Sequence, residues 1–163
     1  MGTKPTLEKL EQRIRELEQL LVEQRHAEER LRTLSLAIEL SNEGIAVTDS
    51  GGNLEYSNQA FARMHGRSVE ELIGENISIL HTPQQIMSVE ESIRQLKETG
   101  HFKGEVWHVK SDGTVFPVSI YNSLILDEDG NEVGILTMLR DITDVRESTV
   151  ALRESEERFH KLS

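Results

Sequence analysis

Gly44-Ile45-Ala46-Val47-Thr48-Asp49-Ser50-Gly51-Gly52-Asn53-Leu54-Glu55-Tyr56-Ser57-Asn58-Gln59-Ala60-Phe61 is the stretch on which the fold turns. Its first six residues hold a β-branched run that favours a strand. Ser50-Gly51-Gly52-Asn53 is a cluster of turn formers, and Leu54-Glu55-Tyr56 supplies the returning arm of a hairpin. Asn58 stands where a helix N-cap belongs, ahead of Ala60-Phe61-Ala62-Arg63-Met64. A hairpin that runs directly into a short helix points to a mixed fold.

The same punctuation continues to Thr143. Ser68-Val69-Glu70-Glu71 is a capping box whose helix is closed by Gly74; Thr82-Pro83-Gln84-Gln85 is a second, with Pro at the first helical position. The helix it opens carries Ile86, Val89, Ile93 and Leu96 on one face and ends at Gly100. Strands are expected near 103–110, 114–126 and 132–142, joined by turns at Ser111-Asp112-Gly113 and Glu128-Asp129-Gly130-Asn131. In the middle strand, alternation sends Val118, Ile120 and Asn122 to one face and Ser119, Tyr121 and Ser123 to the other. Val133 to Leu139 is apolar on both faces, so one face should cover a pocket and the other should meet a flanking helix. The fold class is α+β, an antiparallel sheet with helices on one face.

Charged helices flank this segment. Leu7, Leu10, Ile14, Leu17 and Leu21 alternate steps of three and four, the a/d seam of a coiled coil. Gln24 and Glu28 then enter the seam, and the apolar pattern resumes offset as Ala27, Leu31, Leu34 and Ile38, a stutter. From Pro5 to Leu40 the rod would be roughly 54 Å long. So narrow an apolar stripe must be buried on something, and a parallel homodimer through Leu7, Leu10, Ile14, Leu17 and Leu21 is the expected solution; packing back on its own domain is the other. A second charged helix runs from about Asp144 to Ser163. Its end, Ser155-Glu156-Glu157-Arg158-Phe159-His160-Lys161-Leu162-Ser163, matches Ala27-Glu28-Glu29-Arg30-Leu31-Arg32-Thr33-Leu34-Ser35 in register, 128 residues earlier. The expected organisation is residues 1–40 as a coiled-coil helix, 41–143 as the central domain, and 144–163 as a linker helix leading toward a further repeat.

Composition closes off several function classes. A formal net charge of −11 points away from nucleic acid, whose binders gather Lys and Arg on one face. No run approaches the ~20 apolar residues of a membrane span, and the first residues carry no apolar h-region. The absence of cysteine removes disulfides, thiolate metal sites and thiol catalysis. A cytoplasmic location is expected.

Gly44-Ile45 with Asp49, Asn53 through Phe61, Gly74-Glu75-Asn76, Lys110-Ser111-Asp112-Gly113, Asp127-Glu128-Asp129-Gly130 and Asp141-Ile142-Thr143 form an ordered set. On these residues the chain resembles a PAS domain from about Ser35 to Val145, with signalling helices on both sides. The resemblance implies a five-stranded antiparallel sheet whose helices enclose a small cavity. It also implies dimerisation through the flanking helices and service as sensory input to histidine kinases of two-component systems, cyclases and similar outputs. That output domain would lie outside this chain.

The identity of any cofactor stays open. The family's blue-light flavin branch carries Gly-x-Asn-Cys-x-Phe-Leu-Gln, whereas Gly74-Glu75-Asn76-Ile77-Ser78-Ile79-Leu80-His81 keeps the Asn and has Ile77 for the thiol. No cysteinyl adduct can form. The haem branch places its axial His on the long helix, and none lies between Gln84 and Thr99. His81 reads as a polar residue at the helix entrance. Trp107 is expected on the pocket face with Asn122, beside a bound flavin or simply in the core.

The cavity residues expected from this reading are Asn58, Met64, Ile86, Trp107, Ile120, Asn122 and Leu139. Asp141 and Thr143 are the expected relay to the exit helix, Asp141 by a salt bridge or N-cap and Thr143 by a backbone bond. No nucleophile setting or glycine-rich ATP loop is present, and His101 and His108 lack a third ligand, so neither an enzyme nor a metal site is expected. Two functions remain in play. In one, a small ligand fills the cavity and shifts the sheet; a buried Asn122 amide favours it, because it needs partners. In the other, Trp107, Met64, Met87 and Met138 fill the cavity themselves, and the chain is a ligand-free dimerisation and protein-interaction spacer.

Overall fold

A computed structural model of the chain describes residues 6–162 and divides into two units, one up to Leu40 and one from Ser41. The first unit is α1 (Leu7–Glu39), a single helix with no buried residue. Its i,i+4 pairs, such as Gln24 Nε2 to Glu28 Oε1 at 2.9 Å, lie along the surface. The seam leucines and Ile14 are all exposed, Leu7 to 72%. Pro5 and Ser163, the outer limits expected for the flanking helices, lie outside the described residues. No helix among the described residues is long and apolar enough to cross a membrane.

The second unit runs β1 (Gly44–Asp49), β2 (Leu54–Ser57), α2 (Gln59–Met64), α3 (Val69–Leu72), then 3-10 turns at Ile77–Leu80 and Pro83–Gln85. It continues with α3's larger successor α4 (Ile86–Thr99), β3 (His101–Val109), β4 (Val115–Leu126), β5 (Glu132–Asp141) and α5 (Thr143–Lys161). The strands form one antiparallel sheet in the order β2-β1-β5-β4-β3.

Local chemistry sets these elements. At the first hairpin the Asp49 carboxylate accepts from the backbone N–H of Gly51 (2.9 Å) and Asn53 (2.8 Å). Asp127 repeats the device, accepting from Asp129 N and Asn131 N. The Ser68 capping box is complete, with Glu71 accepting from Ser68 N (2.8 Å) and Ser68 Oγ from Glu71 N (3.2 Å). Gly100 ends α4 in the left-handed region at φ 81°, a conformation in which most side chains are strained.

Cross-strand register places residues in rows over the inner face. Ala46, Thr137, Asn122 and Phe102 form one such row across β1, β5, β4 and β3. Gly44, Leu139, Ile120 and Gly104 form the next. The core gathers Phe61, Leu54, Leu72, Leu80, Phe116, Val118 and Leu139 against these rows. Around α2 the fit is tight: a Cβ on Gly44 would lie 3.0 Å from Leu139 Cδ1 and 3.1 Å from Phe61 Cα. This half of the sheet is filled by the protein's own side chains.

Candidate functional site

The other half of the inner face is not filled. A cavity of about 650 Å³ lies between α4, the 3-10 turns and the inner faces of β1, β3, β4 and β5. Ile86, Val89, Ile93 and Leu96 from α4 form one wall, and Phe102, Val106, Ile120 and Ile135 from the sheet form another. Of α4 only Leu96 is buried, and Ile86 and Ile93 remain 51% and 41% exposed. The apolar face read from the sequence therefore covers a space rather than packed side chains.

A few polar groups interrupt the apolar lining. Thr137 Oγ1 donates to Asn122 Oδ1 at 2.9 Å, which fixes the amide that faces the cavity. Thr48, His81 and His108 also line it. Thr48 Oγ1, His81 Nδ1 and His108 Nε2 are buried with no protein partner.

His108 belongs to a histidine cluster that three separate elements assemble. His65, at the C-cap of α2, donates from Nδ1 to Phe61 O at 2.8 Å, and its Nε2 lies 2.9 Å from His108 Nδ1. The His81 ring stands edge-on to that of His108, with centroids 4.7 Å apart. Burial pushes His65 down to about 4 against the pull of its Phe61 bond, with His81, Arg67 and Lys110 adding repulsion. Burial first, then His81 and His65, holds His108 well below the ordinary range; burial likewise lowers His81. All three rings are neutral near pH 7. Among the described residues no group of three or more His, Asp or Glu side chains is arranged to hold a metal ion.

The expected cavity residues separate into two groups. Ile86, Ile120 and Asn122 line the cavity. Four others sit elsewhere, which corrects the sequence reading. Trp107 lies on the opposite face of β3, 46% exposed, because the even residues Phe102, Val106 and His108 point inward. Asn58 is wholly buried, but its side chain stitches backbone: Oδ1 accepts from Ile45 N and Phe61 N, both at 2.9 Å, and Nδ2 donates to Glu43 O at 3.0 Å. Leu139 is on the inner face but at the filled end, in the core beside Phe61, and Met64 packs against that core. Met87, expected to fill the cavity, is 83% exposed.

Sequence reasoning missed His65 and gave His81 and His108 no joint role. The three are scattered over more than forty positions, with no ligand-like spacing to mark them. The turn after α2 is tied to the end of β3 by Ser111 N donating to His65 O at 2.9 Å, and the 3-10 turn before His81 packs on the same strand.

On the outer face, the exit helix meets the sheet. Asp141 Oδ1 accepts from Thr143 N (2.9 Å) and Thr143 Oγ1 (2.6 Å), so the Thr143 hydroxyl bonds a carboxylate rather than backbone. Ile142 N donates to Pro117 O at 3.1 Å, and Ile142 is buried. One turn on, Arg146 pairs with Glu105 and its guanidinium lies 5.4 Å from the Trp107 ring centroid.

Comparison with known proteins agrees with this architecture. The PAS domain family model matches residues 42–144. The chain is 29% identical over 109 residues, 65% of its length, to a nitrogen fixation regulatory protein of Klebsiella oxytoca, and covers 22% of that protein. It is 27% identical over 118 residues, 71% of its length, to sporulation kinase C of Bacillus subtilis (strain 168), and covers 27% of it. The crystal structure of a PAS domain from Colwellia psychrerythraea superposes with a TM-score of 0.66 at 27% identity, over 70% of this chain and 98% of that one. By its sheet order, its cavity and a family match over most of its length, the chain belongs to the PAS domain family.

Proposed function

We propose that this chain is a non-catalytic sensory module in which a small molecule occupies the cavity under α4 and the exit helix α5 carries the result. The observation that carries this reading is the alternation of β3. Its inward residues Phe102, Val106 and His108 line the cavity, while its outward residues Glu105 and Trp107 hold Arg146 of α5. A ligand that displaces the strand by a fraction of an ångström disturbs both faces at once, because successive side chains share one backbone. Asp141 and Thr143 form the joint between β5 and α5 through which the same displacement reaches the helix start.

In this reading the exposed stripe of α1, Leu7, Leu10, Ile14, Leu17 and Leu21, pairs with that of a second copy in parallel. The output is a kinase or another regulatory domain outside this chain, in keeping with the regulator and the kinase it resembles. A cytoplasmic setting suits such a module.

Native mass spectrometry of the freshly purified chain, compared with its denatured mass, tests the reading. A dimer carrying extra mass that is lost on denaturation is the expected result. A dimer with no added mass, and no small molecule that binds it, would instead favour a ligand-free dimerisation and interaction spacer. A monomer would remove the role given to α1.

A further inference from the structure

We propose that the cavity selects neutral, mainly apolar molecules that carry an N–H or O–H donor, because His108 in its wall holds a buried ring nitrogen that no protein group pairs. The proposal deepens the sensing reading of the same cavity and rests on it. The Phe61 carbonyl oxygen can only accept, so His65 Nδ1, 2.8 Å away, carries the hydrogen. A neutral imidazole has one N–H, which leaves His65 Nε2 as an acceptor. His108 Nδ1, 2.9 Å from it, must therefore be the donor. The single hydrogen of His108 is thus used on His65. Its Nε2 keeps a lone pair, no protein group bonds it, and the residue is 1% exposed.

His81 stands beside this ring. Its ring stands edge-on to that of His108 with centroids 4.7 Å apart, and its Nδ1 is likewise buried without a protein partner. Burial keeps the rings neutral. An acceptor on His108 consequently lies in the wall of a largely apolar space. A ligand that only accepts, such as a carboxylate or an ether, sets lone pair against lone pair. A hydrocarbon leaves the nitrogen unpaired and forfeits a hydrogen bond. A hydroxyl or N–H on an apolar frame satisfies it.

Three bicyclic probes of nearly equal size separate these cases: indole donates, indene does neither, and benzofuran only accepts. Each is titrated into the full chain by calorimetry, and imidazole 15N spectra of the same samples identify the ring tautomers. Indole is expected to bind about tenfold more tightly than either analogue, the yield of one buried hydrogen bond. The spectra are expected to show His108 with hydrogen on Nδ1 and a bare Nε2 whose signal moves when indole is added. Equal affinity for all three, or a preference for benzofuran, would overturn donor selection while leaving the cavity a ligand site. A hydrogen found on His108 Nε2 would overturn it whatever binds. Failure of all three to bind up to their solubility would count against the ligand-binding reading itself, and this inference would fall with it.

Discussion

Two short helices cover the same face of one sheet and treat it differently. α2 presses three consecutive buried residues, Ala60, Phe61 and Ala62, onto the sheet, and its N-cap Asn58 ties the helix to β1 by hydrogen bonds. α4 is more than twice as long, yet buries only Leu96 and leaves Ile86 and Ile93 half exposed beside a cavity. Dense packing marks the half that holds the fold together. Incomplete packing and unpartnered polar groups mark the half available to something else. The histidine cluster lies at the seam: His65 belongs to the filled half, and His108 passes its hydrogen-bond pattern into the open one.

Substitutions should separate the halves. Phe61→Ala removes the largest fully buried side chain and should cost about 4 kcal/mol in denaturant unfolding. A loss below about 1 kcal/mol would mean that α2 is not the anchored half. Acid should act next. His65 is held at about 4 in the fold against 6.5 for an ordinary histidine, so below pH 6.5 the unfolded chain binds more protons than the native one. Stability is therefore complete above pH 6.5 and declines as pH falls toward 4, by on the order of 3 kcal/mol for this ring. His108 and His81 act in the same direction. Asp49 and Asp127, held low by the Asn53 and Asn131 side chains, stay ionised through that window. Unfolding midpoints that do not move between pH 7 and 4.5 would show that the cluster is not buried and neutral.

Asn58→Ala should cost about 2 kcal/mol, since it strands two backbone N–H groups and a carbonyl. On the open side, Ile93→Ala should cost less than about 1 kcal/mol, because that side chain is already 41% exposed. A cost equal to that of Phe61→Ala would erase the distinction between the two helices.

Much of this contrast was not legible in the sequence, although the fold was. Turns and caps announce themselves through residues that act on their own backbone, as Asp49, Asp127 and Ser68 do, so strand and helix limits follow from local chemistry. The cavity depends on parity and on distance along the sheet. Trp107 shares its face with Lys103 and Glu105, and weighing those charges would have turned it outward. Leu139 has the right parity but the wrong end of the sheet, which only register reveals. Asn58 reads as a cap, and its side-chain bonds to Ile45, Phe61 and Glu43 hold it on the backbone, outside the cavity lining. His65, His81 and His108 meet through pairing of distant segments, and no local pattern marks that.

The central claim is that occupancy of the cavity reaches α5 through β3. Hydrogen–deuterium exchange of the full chain, with and without indole in the cavity, tests it most directly, with Arg146→Ala alongside. The account predicts slower exchange in α4 together with a change across the first turns of α5, the second lost in Arg146→Ala while indole still binds. Protection confined to α4, with α5 exchanging identically in both states, would contradict it.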